Sequence, residues 1–326
     1  MIYCKARRKN ESTGCSFFEI MKEGDRMPLK DKRGLLIANA RAGKQGAKLL
    51  LYPIVEGLAS EYTLTIHMTE GPGDARATAM QADGFDALFV SGGDGTINNA
   101  VSGLIEAGID IPVGYYPSGT ANDLATTLGY SRESVENSKK ILGGTPTPHD
   151  VGILNGRYHF LYTASFGAFT KVSYDTPQDL KNVFGQAAYI LSGAAEVFNL
   201  EPERVSVKWD NGELLDTDVF FFGVMNTHSM GGVLKISPER TDLSDGLLDL
   251  LIIKKPKTLA EMNNTVIDLL RNNLYDSTNE NIVFAHTANV EVTMERPVTW
   301  TVDGEGTIEM TEATIRTIPD GVKFIR

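Results

Sequence analysis

The chain has almost no cysteine. Among 326 residues only Cys4 and Cys15 carry a thiol, so neither a disulfide framework nor a cysteine zinc site can hold the body of the protein. Long apolar runs are missing too: stretches such as Val219 to Met225 fall far short of the roughly 20 residues that a spanning helix needs. Basic charge is in deficit. Lys+Arg 31 against Asp+Glu 42 leaves a net charge of −11, the wrong sign for a general nucleic-acid binder. Met1 to Asn10 has basic residues with no apolar stretch behind them, so no secretory signal is expected. Neither Gly-x-x-x-x-Gly-Lys-Ser/Thr nor Gly-x-Gly-x-x-Gly occurs, which sets aside the P-loop and the dinucleotide fingerprint. The histidines (His67, His149, His159, His228, His286) have no metal-ligand spacing and are read as structural.

What is present is a folded composition. Hydrophobic residues at 42% and charged residues at 22% exclude a disordered chain, and the length favours two domains. Residues 1–32 are polar and aperiodic and are expected to form a disordered arm. From Gly34 onward, short apolar runs alternate with helical patterns. Leu35 to Ala38, Tyr62 to Met68, Ala87 to Val90 and Ile111 to Tyr115 read as strands. Gly46 to Ser60, Asp74 to Ala82, Ile97 to Ala107 and Ala121 to Leu128 read as helices. That alternation predicts an α/β domain with a parallel sheet, whose ligands sit on the rim at the strands' C-terminal ends. After His149 the pattern becomes antiparallel β, with turn signals at Asn155-Gly156 and Asp210-Asn211-Gly212. Strand-like runs there are Tyr158 to Ala164, Arg204 to Trp209, Asp216 to Val224, Leu247 to Ile253, Asn289 to Met294, Val298 to Val302, Thr307 to Met310 and Ala313 to Ile318. Helical stretches are expected at Thr176 to Phe198 and Leu259 to Asn273. Trp209 and Trp300 sit in strand patterns as core residues.

Three glycine-bearing loops close three of the predicted parallel strands: Asn39-Ala40-Arg41-Ala42-Gly43-Lys44, Ser91-Gly92-Gly93-Asp94-Gly95-Thr96, and Pro117-Ser118-Gly119-Thr120-Ala121-Asn122-Asp123. Glycines let the backbone approach a ligand, and a following helix aims free N–H groups at it. An aspartate inside such a turn would repel bare phosphate but suits a magnesium ion or water held between them. The alternative is an ordinary βα turn with a capping aspartate. Together the loops offer backbone donors, Lys44, hydroxyls and carboxylates, a set that fits a magnesium–triphosphate nucleotide.

These motifs carry a resemblance. Gly92-Gly93-Asp94-Gly95-Thr96 with Asn98 and Gly103-Leu104, the loop Asn39 to Lys44, and Gly119-Thr120-Ala121-Asn122-Asp123 resemble the diacylglycerol kinase catalytic-domain family. Asp150-Val151-Gly152 with Asn155-Gly156, Lys181 with Gly185 and Tyr189, Asp245-Gly246-Leu247-Leu248-Asp249 and Asp303-Gly304-Glu305 follow in the family's order. That family includes bacterial soluble lipid kinases and the sphingosine and ceramide kinases. The resemblance implies a nucleotide-binding α/β domain over 33–148 with about 312–326 returning to it, and a β-sandwich lipid-substrate domain over 149–311. It implies an ATP- and Mg2+-dependent kinase acting on a lipid hydroxyl, diacylglycerol first, to give phosphatidic acid for phospholipid biosynthesis. ATP would lie over Asn39, Ala40, Arg41, Ala42, Gly43, Lys44 and Gln45 and over Gly92, Gly93, Asp94, Gly95, Thr96, Ile97, Asn98 and Asn99. Thr69, Thr120 and Asn122 would lie nearby.

The resemblance also assigns roles. Glu305, with Asp303 close behind it, is the expected general base; either carboxylate could take the proton of an attacking alcohol. Asp94 would hold magnesium through water, and Lys44 would neutralise phosphate oxygens. Asp242, Asp245 and the Leu247 carbonyl match a second, structural magnesium site. Asp150 and Lys181 match a pair that couples the domains near the site. One position departs from the family: Asn99 stands where glutamate is usual. The expected setting is cytoplasmic and transiently peripheral at a membrane, with no transmembrane segment and no nucleic acid; members of the family often form homodimers. Alternatives are phosphatidylglycerol or a sphingoid base as acceptor. NAD kinases and phosphofructokinases share the Gly-Gly-Asp-Gly turn but lack the later motifs. A non-catalytic nucleotide or lipid sensor is opposed by the intact Asp94, Lys44 and Glu305.

Overall fold

The structure, a computed structural model, describes residues 30–39, 47–119, 122–167, 201–210, 212–230, 234–236, 241–270, 274 and 277–326. Residues 1–29 of the expected arm, most of the first glycine loop, Thr120 and the predicted helix Thr176 to Phe198 lie outside these residues. The end of the arm is ordered, since Lys30 N–H donates to the Thr63 hydroxyl at 2.9 Å and Lys32 pairs with Tyr62 in the first strand.

The N-terminal part alternates strand and helix: β1 (Lys32–Ala38), α1 (Ala47–Leu58), β2 (Tyr62–Met68), α2 (Asp74–Ala79), β3 (Ala87–Gly92), α3 (Asp94–Ala107), β4 (Val113–Pro117), α4 (Asp123–Leu128) and α5 (Ser134–Gly143). Pairing of β2, β1, β3 and β4 is parallel throughout. β3 and β4 are buried along their whole length, as strands covered on both faces must be. Leu36, Ile37, Leu88, Phe89 and Val90 form the sheet's share of the first core, and Ile54, Leu58, Ile97, Ala100 and Val101 the helices' share. Helix α3 starts at Asp94 rather than at Ile97, because Gly93 is extended (φ −87, ψ −177) and caps it. The fourth strand lies two residues later than the sequence suggests, since Tyr116 and Pro117 continue its pairing with β3.

The remaining described elements are β5 (Pro146–Leu154), β6 (Tyr158–Phe160), β7 (Thr163–Gly167), β8 (Glu203–Trp209), β9 (Glu213–Met225), β10 (Ser229–Met230), β11 (Leu234–Lys235), β12 (Leu248–Lys254), α6 (Leu259–Leu270), β13 (Ile282–Thr287), β14 (Asn289–Val302) and β15 (Glu305–Ile325). Their pairing is antiparallel, apart from the end of β15. A second core forms around Trp300, whose ring packs 4.8 Å from Phe166 and 5.5 Å from Phe222. Trp209 packs against the same core from a half-buried position.

Two of the predicted strand pairs are single strands. β14 runs through Pro297 with a register shift between Thr293 and Val298, and β15 runs through Pro319 with a shift between Ile318 and Val322. β15 is the seam of the molecule. Its first half pairs with β14, its second half with β5, and Phe324 lies parallel to Val113 of β4. The sheet order is therefore β13-β12-β9-β7-β14-β15-β4-β3-β1-β2 among the described residues.

β5 carries a fully buried histidine beside this seam. His149 donates from Nε2 to the Leu161 carbonyl at 2.8 Å and packs edge-on to Phe324. Burial pushes its pKa down to about 4; the Leu161 carbonyl resists the shift, and the charges of Arg326 and His228 reinforce it. Between the unfolded value near 6.5 and this lower value the unfolded chain binds a proton that the folded chain refuses, so stability falls as pH drops through that window. From pH 7 to pH 4.5 this should remove about 2–3 kcal/mol. Urea unfolding of His149→Gln should show a shallower acid slope than the parent by that amount. The raised carboxyls described below act with the opposite sign but are common to both proteins, so the difference isolates His149.

Candidate active site

The C-terminal ends of β1, β3 and β4 bring two of the three glycine loops together within the described residues. Gly93 and Gly119 touch: a Cβ on Gly119 would stand 2.7 Å from Gly93 Cα and 2.8 Å from Asn122 Oδ1. Ser118 N–H donates to the Gly92 carbonyl at 2.8 Å and the Tyr115 hydroxyl to the same oxygen at 3.2 Å. Asn122 holds the third loop. Its side chain accepts from Gly119 N–H and donates to Gly119 O, and its own backbone is left-handed at φ 57, a conformation that asparagine tolerates. From β1, Asn39 donates to the Thr96 hydroxyl at 3.0 Å. Thr69 closes the rim after β2 through a bond from its N–H to Ala38 O.

Asp94 sits at the start of α3, facing this junction. Burial pushes its carboxyl up to about 7, and the neighbouring Asp123 and Asp303 add to the shift, while N–H groups of Asn122 and Asp123 pull it back. Its Oδ1 is buried with no hydrogen-bond partner, and so is the Ser118 Oγ. A buried carboxylate oxygen without a donor is costly unless a cation or bound water meets it. Hard oxygen ligands are what magnesium takes, usually keeping several waters, so the residues present fit that ion. The N-terminal N–H groups of α3 suit an anion at the same rim.

The other predicted residues are placed as follows. Ile97 is buried in the core, so its side chain cannot contact a nucleotide. Asn98 donates to His159 O at 2.8 Å and to Asp303 Oδ2 at 2.6 Å. Asn99 bonds back to Gly95 O of its own helix at 2.7 Å, a use of the amide that a glutamate could not make. Asp303 is fully buried. It accepts N–H bonds from Leu161 at 2.8 Å and from Tyr162 and Thr163 at 3.0 Å each. Burial pushes its carboxyl up to about 6 against those donors. Glu305 opens β15 two residues later, paired with Val302. Asp150, also buried, accepts from Gly246 N–H at 2.6 Å and Asp320 N–H at 2.7 Å. It thereby ties the 242–247 loop to the irregular part of β15. Ala40 to Gln45, Thr120 and Lys181 lie outside the described residues.

Asp242 and Asp245 are both exposed in that loop. Each takes a bond within the loop, Asp242 Oδ1 from Ser244 N–H at 3.0 Å and Asp245 Oδ1 from Leu247 N–H at 2.9 Å. No cluster of three metal-ligating side chains forms among the described residues. The loop offers oxygen ligands alone, two carboxylates and the Leu247 carbonyl, which suits a hard cation that keeps most of its water. Sequence reasoning missed Ser118, Asp123 and the backbone of 161–163. The first two lie in a motif already singled out, while the third acts through N–H groups, which leave no trace in residue identity.

Both parts of the chain resemble known proteins. The family described as "Diacylglycerol kinase catalytic domain" matches residues 33–154. The one described as "YegS C-terminal NAD kinase beta sandwich-like domain" matches residues 164–326. A diacylglycerol kinase of Bacillus subtilis (strain 168) is 34% identical over 278 residues, covering 84% of this chain and 90% of that protein. One from Staphylococcus epidermidis (strain ATCC 12228) is 30% identical over 277 residues, covering 84% and 86%. The crystal structure of a diacylglycerol kinase from Bacillus anthracis str. Sterne superposes with a TM-score of 0.71 at 25% identity, covering 90% of this chain and 96% of that one. No helix among the described residues is long and apolar enough to cross a membrane.

Proposed function

The chain belongs to the diacylglycerol kinase family, and from that membership we propose that it transfers the γ-phosphate of ATP to a lipid hydroxyl, with diacylglycerol as the acceptor and phosphatidic acid as the product. The observation that carries the reading is the unpartnered, buried Asp94 oxygen at the start of α3, set where two glycine loops meet. The N–H groups opening α3 bind phosphate oxygens there, with Lys44 supplying charge from the first loop. Asp94 holds magnesium through water; when bound, that ion neutralises charge on the transferring phosphoryl group. Asp242, Asp245 and the Leu247 carbonyl hold a second, structural ion. The acceptor oxygen bonds to the γ-phosphorus as the bond to the bridging oxygen breaks, ADP leaves, and the hydroxyl proton passes to Glu305. The nucleotide part spans 33–148 with 312–326 and the lipid part 149–311, and the enzyme works at a membrane surface.

The test is labelled phosphate transfer from Mg·ATP to diacylglycerol, phosphatidylglycerol, sphingosine and ceramide in mixed micelles, with soluble NAD alongside. Label in phosphatidic acid supports the reading. Label in another lipid changes the acceptor, label in NAD overturns the lipid assignment, and ATP binding without transfer to any acceptor points to a sensor. A further expectation concerns the loop contact. Gly119→Ala forces the two loops apart, and at a typical overpacking cost of about 1–3 kcal/mol the ATP affinity should fall roughly tenfold or more. Calorimetric titration of ATP against parent and variant checks this.

A further inference from the structure

Asp303 stands in a two-residue hairpin turn. Val302 pairs with Glu305, and Asp303 and Gly304 have φ of 48 and 69, the two positive values of a type I′ turn. Such a turn needs no buried carboxylate; Asn-Gly makes it at least as well. The carboxylate has other partners, and all of them lie elsewhere in the fold. The short segment from β6 into β7 presents three consecutive N–H groups, from Leu161, Tyr162 and Thr163, and all three converge on Asp303. Successive amides of this kind form an anion-binding concavity. Here the protein's own side chain fills it. The reverse bond, Asp303 N–H to Thr163 O at 2.8 Å, closes the contact from the other side.

The fourth donor comes from the nucleotide side. Asn98 lies one turn into α3, the helix that begins with Asp94, and its amide reaches Asp303 Oδ2 at 2.6 Å and His159 O at 2.8 Å. A carboxylate has about four lone-pair positions. Three backbone N–H groups and Asn98 take four, and the residue is 2% exposed. No lone pair remains for the proton of an incoming alcohol, and no hydroxyl reaches it without dismantling the contact.

We infer that Asp303 is a positioning residue: with Asn98 it clamps the hairpin turn that carries Glu305 onto helix α3, and so fixes Glu305 relative to Asp94. The inference rests on the reading of Glu305 as the base, and it removes Asp303 from that role.

The experiment uses Asp303→Asn, which keeps the turn but replaces one acceptor by a donor, and Asn98→Ala, which leaves the turn and the three backbone bonds in place. Both are made singly, together, and in a Glu305→Gln background. If Asp303 acts through Glu305, each single variant should lower kcat about 10- to 100-fold with KM for ATP changed less than about threefold, a misplacement effect. The double variant should be no worse than Asp303→Asn, because the two side chains share one interaction. Neither should lower the residual rate of Glu305→Gln by more than about twofold. Amide hydrogen exchange at 161–163 should quicken about tenfold or more in Asp303→Asn. If Asp303→Asn instead loses as much as Glu305→Gln, with exchange at 161–163 unchanged and an additive Asn98→Ala, Asp303 is the base and the clamp is wrong. A silent Asp303→Asn reduces the residue to a turn former and also overturns it. Should the parent protein phosphorylate no acceptor at all, the kinase reading fails by itself. The clamp is then decided by exchange at 161–163 and by whether the two variants are non-additive in thermal stability.

Discussion

Replacing Glu305 by glutamine should abolish most lipid phosphorylation, lowering kcat about 10²- to 10⁴-fold, the usual contribution of a positioned general base. ATP affinity and thermal stability should barely move. The argument is positional. Glu305 follows a turn whose first residue is buried and saturated with donors, and it is the next carboxylate along the strand. Glutamine keeps the size and one acceptor oxygen but cannot take a proton at neutral pH. Initial rates in mixed micelles, with ATP binding measured in parallel, check this. Retention of more than a tenth of the parent rate would move the base elsewhere.

Asp94→Asn should change activity and stability in opposite directions. Its buried Oδ1 has no partner, and Asp123 and Asp303 place like charge near it. A neutral amide relieves that repulsion, so in the presence of a chelator the variant should unfold at a higher temperature, with a gain of about 1–3 kcal/mol. Phosphoryl transfer should fall about 10²- to 10³-fold, the order seen when one group stabilising transition-state charge is lost, and should need more magnesium. Differential scanning calorimetry with EDTA and a magnesium titration of the rate measure the two halves. A variant both less stable and fully active would show that Asp94 is an ordinary helix-capping carboxylate.

Much of the candidate site was legible because its chemistry sits in loops at the ends of parallel strands. There, glycine and small polar residues are required by close approach, as the Gly93–Gly119 contact shows. Elements that bury polar groups were hidden. Helix α5 was not read because Ser134, Asn137 and Ser138 occupy buried positions where periodicity looks for apolar residues. Two neighbours satisfy Ser138 and Asn137 with three bonds: the Tyr116 hydroxyl meets Ser138 at 3.0 Å, Ser131 N–H donates to Asn137 and Asn137 donates to Ser131 O. Strand β5 is hidden in the sequence by Pro146 and Pro148, although the motif Asp150-Val151-Gly152 lies inside it. The continuity of β14 and β15 was obscured by Pro297 and by Pro319-Asp320-Gly321. In the second case the fold accommodates the break with a register shift and an Asp320 at φ 52, its N–H held by Asp150. The identity of Asp303 was visible, but its partners are backbone groups and could be found only in three dimensions.

The course of β15 bears on how the protein is made. Phe324 closes against Val113 of β4, so the parallel sheet lacks a neighbour on that side until the residues around Phe324 have left the ribosome. The N-terminal part cannot finish as an independent unit during synthesis, and its β4 flank stays open for sticking to other chains while the rest is translated. Contacts this distant in sequence also slow folding. Nascent chains halted before residue 320 should therefore remain protease-sensitive around β4 and should depend on chaperones, with protection arriving in a single late step for both halves together.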